Sequence, residues 1–221
     1  MGGPDMRREE IEEQIRQCCI VGDYRAAATA ILQAYGPEIS SLLCARLHSD
    51  ANGSEVFGMF CEDLWRALPA FELRCSSRTW VYVLARHAEL RFRSEPQRRP
   101  DRNLPFVGQL DEVPARRRTS TAPYRQTQVR ERLRALRQRL HEQDELLLLL
   151  RVDRALSWRE IARVLLAEAN VEDALLEREA ARLRQRFQVI KQKLRHWAEQ
   201  EGLLPRSGAG SPVSASLVSL E

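Results

Sequence analysis

Lysine is nearly missing from this chain: of 35 cationic residues only Lys191 and Lys193 are not arginine. That bias carries little functional weight; other absences carry more. No apolar run approaches the roughly 20 residues that a membrane helix needs, and Leu146 to Leu150, five leucines, reads as buried helix. The first thirteen residues lack the apolar core of a signal peptide. The expectation is a cytoplasmic protein with no membrane insertion. The five cysteines form no C-x-x-C pair and have no histidine partner at zinc spacing, so no metal site is expected. Cys44 and Cys61 lie among apolar residues and are expected as buried, reduced thiols. Nothing beside the adjacent Cys18 and Cys19 lowers a thiol pKa. No phosphate loop or nucleophile–base pair occurs, and His48, His87, His141 and His196 are scattered. An enzyme is therefore the least favoured class, with no catalytic residues and no cofactors. Strand signals are also absent, which leaves an all-α fold.

What is there is an uneven distribution of charge. Residues 1–92 hold 10 Lys/Arg against 13 Asp/Glu, residues 93–124 seven against four, and residues 178–197 seven against one, Glu179. Positive charge is gathered in the middle of the chain and in one late segment, as a nucleic-acid contact requires.

Along the chain, residues 1–22 read as a polar segment, frayed over Met1 to Glu13. Tyr24, Ala28, Ile31, Leu32 and Tyr35 recur at helical steps. Gly36-Pro37 then predicts a break, with Pro37 opening a second helix through Ile39, Leu42, Leu43 and Leu47 to about His48. Asp50 to Gly53 reads as a turn and Ser54 as the cap of a helix over 55–68, its apolar face Phe57, Phe60, Cys61, Leu64 and Leu68. After an irregular connection holding Arg74, Ser77 is read as the cap of a helix to about Arg93. Its apolar stripe is Val81, Leu84, Ala85, Ala88 and Phe92. Residues 94–127, with five prolines and Arg116-Arg117-Arg118, read as a flexible linker between two small helical domains, 23–93 and 128–201. In the second, a helix over 128–140 buries Val129, Leu133, Leu136 and Leu140. His141 to Asp144 reads as a break before a buried helix, Glu145 to Val152. Ser157 then caps a helix, with Glu160 completing a capping box. Residues 202–221 read as a disordered tail.

On a helical wheel of residues 183–197, Leu183, Phe187, Ile190, Leu194 and Trp197 share one line, the expected buried seam. Arg182, Arg186 and Lys193 line one flank; Arg184, Lys191 and Arg195 line the other. Gln185, Gln188 and Gln192 lie between the flanks. Cationic edges would reach phosphates on both walls of a groove, and the glutamines would face base edges. A solvated amphipathic helix with arginines lying over apolar surface is the competing reading of the same pattern.

Two stretches carry a resemblance to a known family. Leu156-Ser157-Trp158-Arg159-Glu160-Ile161-Ala162 is similar to the scaffold helix of region 4 of the small sigma-70-family factors of bacterial RNA polymerase, the extracytoplasmic-function group. Leu183 to Phe187, then Lys191 to Arg195, resembles that region's recognition helix. Glu55-Val56-Phe57 to Trp65, Phe71, and Trp80 to His87 resemble region 2. Together the likeness covers residues 24–93 and 129–200. The chain departs from the pattern at Gly58 and Met59 of the clamp-binding helix. It also departs at Leu166 to Glu177, which adds roughly eleven residues between scaffold and recognition helices. Those residues either extend the scaffold helix or form an extra acidic helix, Val171 to Leu176.

The resemblance implies a helical bundle for region 2 and a helix-turn-helix for region 4. It implies a dissociable specificity subunit with core RNA polymerase and promoter DNA as partners, and an anti-sigma factor as a further one. Glu55, Met59, Glu62 and Asp63 would meet polymerase. Arg74, Arg78, Trp80, Tyr82, Arg86, His87 and Arg93 would hold the opened −10 strand, with Trp80 better read as core packing. Arg182, Arg184, Gln185, Arg186, Gln188, Lys191, Gln192, Lys193 and Arg195 would read the −35 duplex. The other classes open to the sequence are a helix-turn-helix regulator acting without polymerase and a protein-interaction adaptor.

Overall fold

A computed structural model describes residues 4–94 and 132–205. The 94–127 linker, apart from Ser94, and the tail beyond residue 205 lie outside the described residues, as do Val129 and the start of its helix. The fold is all-α, with no strand among the described residues. None of the described helices is long and apolar enough to cross a membrane. The chain divides into two compact units, Met1–Arg117 with Leu149–Arg184 and Arg118–Leu148 with Gln185–Glu221.

In the first unit the N-terminal segment is a helix, α1 (Pro4–Val21), not a frayed end. Its one fully buried apolar side chain among those described is Ile15, too little to show as a stripe in the sequence. Gly22 at φ +76° closes it: the Gly22 and Asp23 amides bond back to the Cys19 and Cys18 carbonyls. Asp23 then caps α2 (Tyr24–Leu47), accepting from the Ala26 amide at 3.0 Å.

The expected break at Gly36-Pro37 does not occur; α2 runs through Pro37. Ala27, Ile31, Tyr35, Ile39, Leu42 and Leu43 are buried on both sides of that point. Ile31, Ile39, Leu42 and Leu43 alone contribute about 2 kcal/mol each, so together they outweigh the roughly 3 kcal/mol cost of an interior proline.

Ser49, not Ser54, caps the next helix, α3 (Asp50–Ala67), and the expected turn 50–53 is its first turn. Gly53 explains the misreading. A Cβ there would stand under 3 Å from the Cys44 backbone, so Gly53 marks the close approach of α2 and α3 rather than a turn. A 3-10 turn, Leu68–Ala70, and an irregular segment lead to α4 (Ser77–Ser94). Its cap is Ser76, whose hydroxyl accepts from the Thr79 amide at 3.1 Å. The stripe Val81, Leu84, Ala85, Ala88 and Phe92 is buried, beside Val56, Phe60 and Leu64 of the core. The five cysteines are free thiols of intermediate exposure, so Cys44 and Cys61 are half-buried rather than buried. Cys44 and Cys61 lie on helix faces that the core covers only in part. Burial still pushes several thiols up, Cys75 to about 11.

In the second unit residues 132–138 are helical (α5); Leu136 and Leu140 are buried, while Leu133 is exposed because this short helix is covered on one side only. The break expected over His141 to Asp144 falls at residues 139–141, one turn earlier. The His141 carbonyl accepts from the Asp144 and Glu145 amides and opens α6 (Glu142–Leu148). A π-helical turn, Leu149–Asp153, follows in the first unit, where Arg151 lies over the Trp158 ring at 4.6 Å and donates to the Leu156 carbonyl.

Ser157 caps α7 (Trp158–Leu166) with the expected reciprocal capping box to Glu160. Ala167, left-handed at φ +55°, ends it. The added residues neither lengthen α7 nor form a separate helix. After a short turn they are the first turns of α8 (Asp173–Gln200), which therefore starts five residues before Arg178.

Candidate nucleic-acid interface

The pair α7 and the start of α8 is held by its own charges. Arg159 donates to the Asp173 carboxylate and lies 3.3 Å from Glu177, so two acids of the added segment neutralise one scaffold-helix arginine. Arg163 donates to the Ala169 carbonyl at 3.1 Å and fixes the turn. Along α8 the seam is as expected: Leu183 and Ile190 are buried, and Phe187, Leu194 and Trp197 are half-buried.

The polar residues of α8 fall into two groups. Arg184, Gln185, Gln188, Lys191, Gln192 and Lys193 are exposed, with Lys191 also 5.6 Å from the Phe187 ring. Arg182 and Arg195 are exposed but paired within the helix, to Glu179 at 2.8 Å and Glu199 at 3.0 Å. Arg186 differs: its Nε donates to Asp144 at 2.5 Å and its Nη1 to the Gln143 side chain at 3.2 Å. Asp144 is only 7% exposed, so Arg186 is committed to a packing contact within the second unit. Distance along the wheel could not show this, because the partner is 42 residues away.

The candidate strand-holding residues on α4 are mostly engaged. Arg78 is buried, bidentate to Glu38 at 2.9 and 3.1 Å, and also donates to the Arg154 carbonyl. Burial alone would lower its pKa, but Glu38, with Tyr82 and Glu160, more than offsets that and the net shift is upward. Tyr82 is fully buried and donates to Glu38; burial and that carboxylate push its hydroxyl well above its ordinary value. Trp80 is buried and stacks on Phe71 at 4.3 Å, a core role. His87 is exposed and donates from Nε2 to the Ala167 carbonyl. Arg74 is exposed beside Glu72.

Arg86 and Arg93 converge with Arg46 on Glu89, which is 2% exposed. Burial favours the neutral acid, yet the three guanidiniums prevail and hold the carboxyl below its ordinary value.

On α3, Glu55 and Glu62 are exposed, Met59 is half-buried, and Glu62 and Asp63 pair with Arg66 and Arg91. Trp65, at 56% exposure, lies on the same side as Gly58 and Glu62 by helical spacing; the sequence marks it only as the end of the Glu55 to Trp65 stretch, whereas an exposed tryptophan is a strong surface signal. Glu12 was missed as well. Its carboxylate accepts from the Ser77 and Arg78 amides and the Tyr35 hydroxyl, so α1 satisfies the N-terminus of α4. Among the described residues no group of three His, Cys, Asp or Glu side chains is placed to hold a metal ion. Neither a protein-family model nor a curated protein matches the chain.

Proposed function

We propose that the chain is a sigma-type specificity subunit, which binds core RNA polymerase and directs it to promoters without catalysing a reaction itself. The observation that carries this reading is the capped α7 followed by α8, a long helix with a buried seam and an exposed cationic and amide-rich side. Arg184, Lys191 and Arg195 suit phosphates, and Gln185, Gln188 and Gln192 suit base edges of the −35 duplex. The exposed side of α3, with Glu55, Met59, Glu62 and Trp65, supports a polymerase contact. Exposed Arg74 and His87 support a contact with the opened −10 strand. An anti-sigma partner and a cytoplasmic location belong to the same reading.

The burial of Arg78, Trp80 and Tyr82 favours a second reading, a helix-turn-helix regulator that meets DNA through α8 alone. Gel filtration of the chain with purified core polymerase separates the two. Co-elution that is lost in Glu62→Arg/Trp65→Ala supports the sigma reading. Specific duplex binding with no co-elution supports the regulator.

A further inference from the structure

Val189 is 49% exposed, and among the described residues it is the one large apolar side chain that α8 exposes. The fold gives no reason for it. A β-branched residue loses side-chain freedom in a helix, and an exposed one recovers little of that through burial. The seam of α8 is complete without it, since Leu183, Phe187, Ile190 and Leu194 lie on another side of the helix.

Its surroundings are polar and of one sign. Val189 follows Gln185 by four positions and precedes Gln192 by three, so it stands on the same ridge as those exposed amides and Gln188. Lys191, Lys193 and Arg195 are exposed along the edges of that ridge, and no acid occurs between Ala180 and Ala198. Residues 185–200 all belong to the second compact unit, so amides, valine and cations are carried by one body.

The chemistry of that body selects an occupant. A glutamine amide donates to N7 of adenine and accepts from its N6 amino group, while an apolar side chain at the same depth meets the 5-methyl group of thymine. Both features lie on the major-groove edge of one A·T pair. Cations on either edge meet phosphates. From Gln185 to Gln192 the helix advances about 10 Å, the length of about three base steps of roughly 3.4 Å.

Resting on the proposed function above, we infer that Val189 is a specificity-determining residue: it packs on a thymine methyl group within a short run of A·T pairs whose adenines are held by the neighbouring glutamines. An α8 with a polar residue at this position keeps the phosphate contacts and loses the preference for the methyl group.

The test uses the full chain, alone and with core polymerase, to select duplexes from a random-sequence pool. The best duplex is then remade with deoxyuridine in place of every thymidine, which removes only the 5-methyl groups. Affinities for the two duplexes are measured by fluorescence anisotropy for the parent and for Val189→Ser, whose native helicity is checked first. The expected result is that the parent binds the deoxyuridine duplex about fourfold more weakly, the factor for one methyl group buried, and that Val189→Ser binds both duplexes equally. Equal affinity of the parent for the two duplexes would overturn the assignment. The same loss in parent and variant would overturn it too, since the methyl group would then be felt elsewhere; in either case duplex reading by α8 stands. Selection of no duplex, with or without polymerase, would remove the duplex contact itself and Val189's role with it.

Discussion

Arg186 on α8 and Asp144 on α6 are joined by a charge-assisted hydrogen bond of 2.5 Å, with Asp144 almost wholly buried. A residue that the helical wheel places on a DNA-facing flank is thereby a structural residue. Arg186→Ala leaves the Asp144 carboxylate buried and unpaired, which costs about 1–3 kcal/mol. A lowered thermal midpoint, with the salt dependence of DNA binding unchanged, is the expected outcome. An unchanged midpoint with a shallower salt slope would put Arg186 back on the DNA face.

Arg184 is the contrasting case, exposed on the opposite flank. Arg184→Ala should leave the stability within about 0.5 kcal/mol of the parent. It should reduce the slope of log affinity against log salt by about one, since one phosphate contact is lost. Filter binding to duplex DNA over a range of salt concentrations measures this directly.

The buried Glu89 ties the end of α4 to α2 through Arg46, and to Arg86 and Arg93. Glu89→Gln leaves three guanidiniums without their carboxylate and should destabilise the chain by about 3–5 kcal/mol. The same group sets an acid limit. Its folded pKa lies below the ordinary 4.5, so the stabilisation is fully present above pH 4.5 and is lost as pH falls through the lower, folded value. The midpoint difference between parent and Glu89→Gln should therefore be constant from neutral pH down to about 4.5 and shrink below it. A difference that stays flat into strong acid would contradict this placement of the charge.

Local signals were legible in the sequence and tertiary ones were not. The Ser157–Glu160 capping box, the α4 stripe and the α8 seam depend on residues within a few turns of one another, and periodicity finds them. Glu12 was invisible because the amides it satisfies belong to residues 65 and 66 positions away. Gly36-Pro37 and Gly53 mark breaks by local rules, and in each case packing between α2 and its neighbours overrides the rule. The candidate site divides in the same way. Exposure of Arg184 and the glutamines follows from the wheel, whereas the engagement of Arg78, Tyr82 and Arg186 depends on carboxylates far along the chain.

The central claim is tested most directly by transcription in vitro, with purified core polymerase and this chain on the DNA upstream of its own gene. The account predicts a discrete transcript that requires the chain and is reduced about tenfold or more when Arg184, Lys191 and Arg195 are replaced together by alanine, since phosphate contacts supply much of the affinity for duplex DNA. A transcript that is absent with the parent chain, or that is unaffected by those replacements, would contradict it.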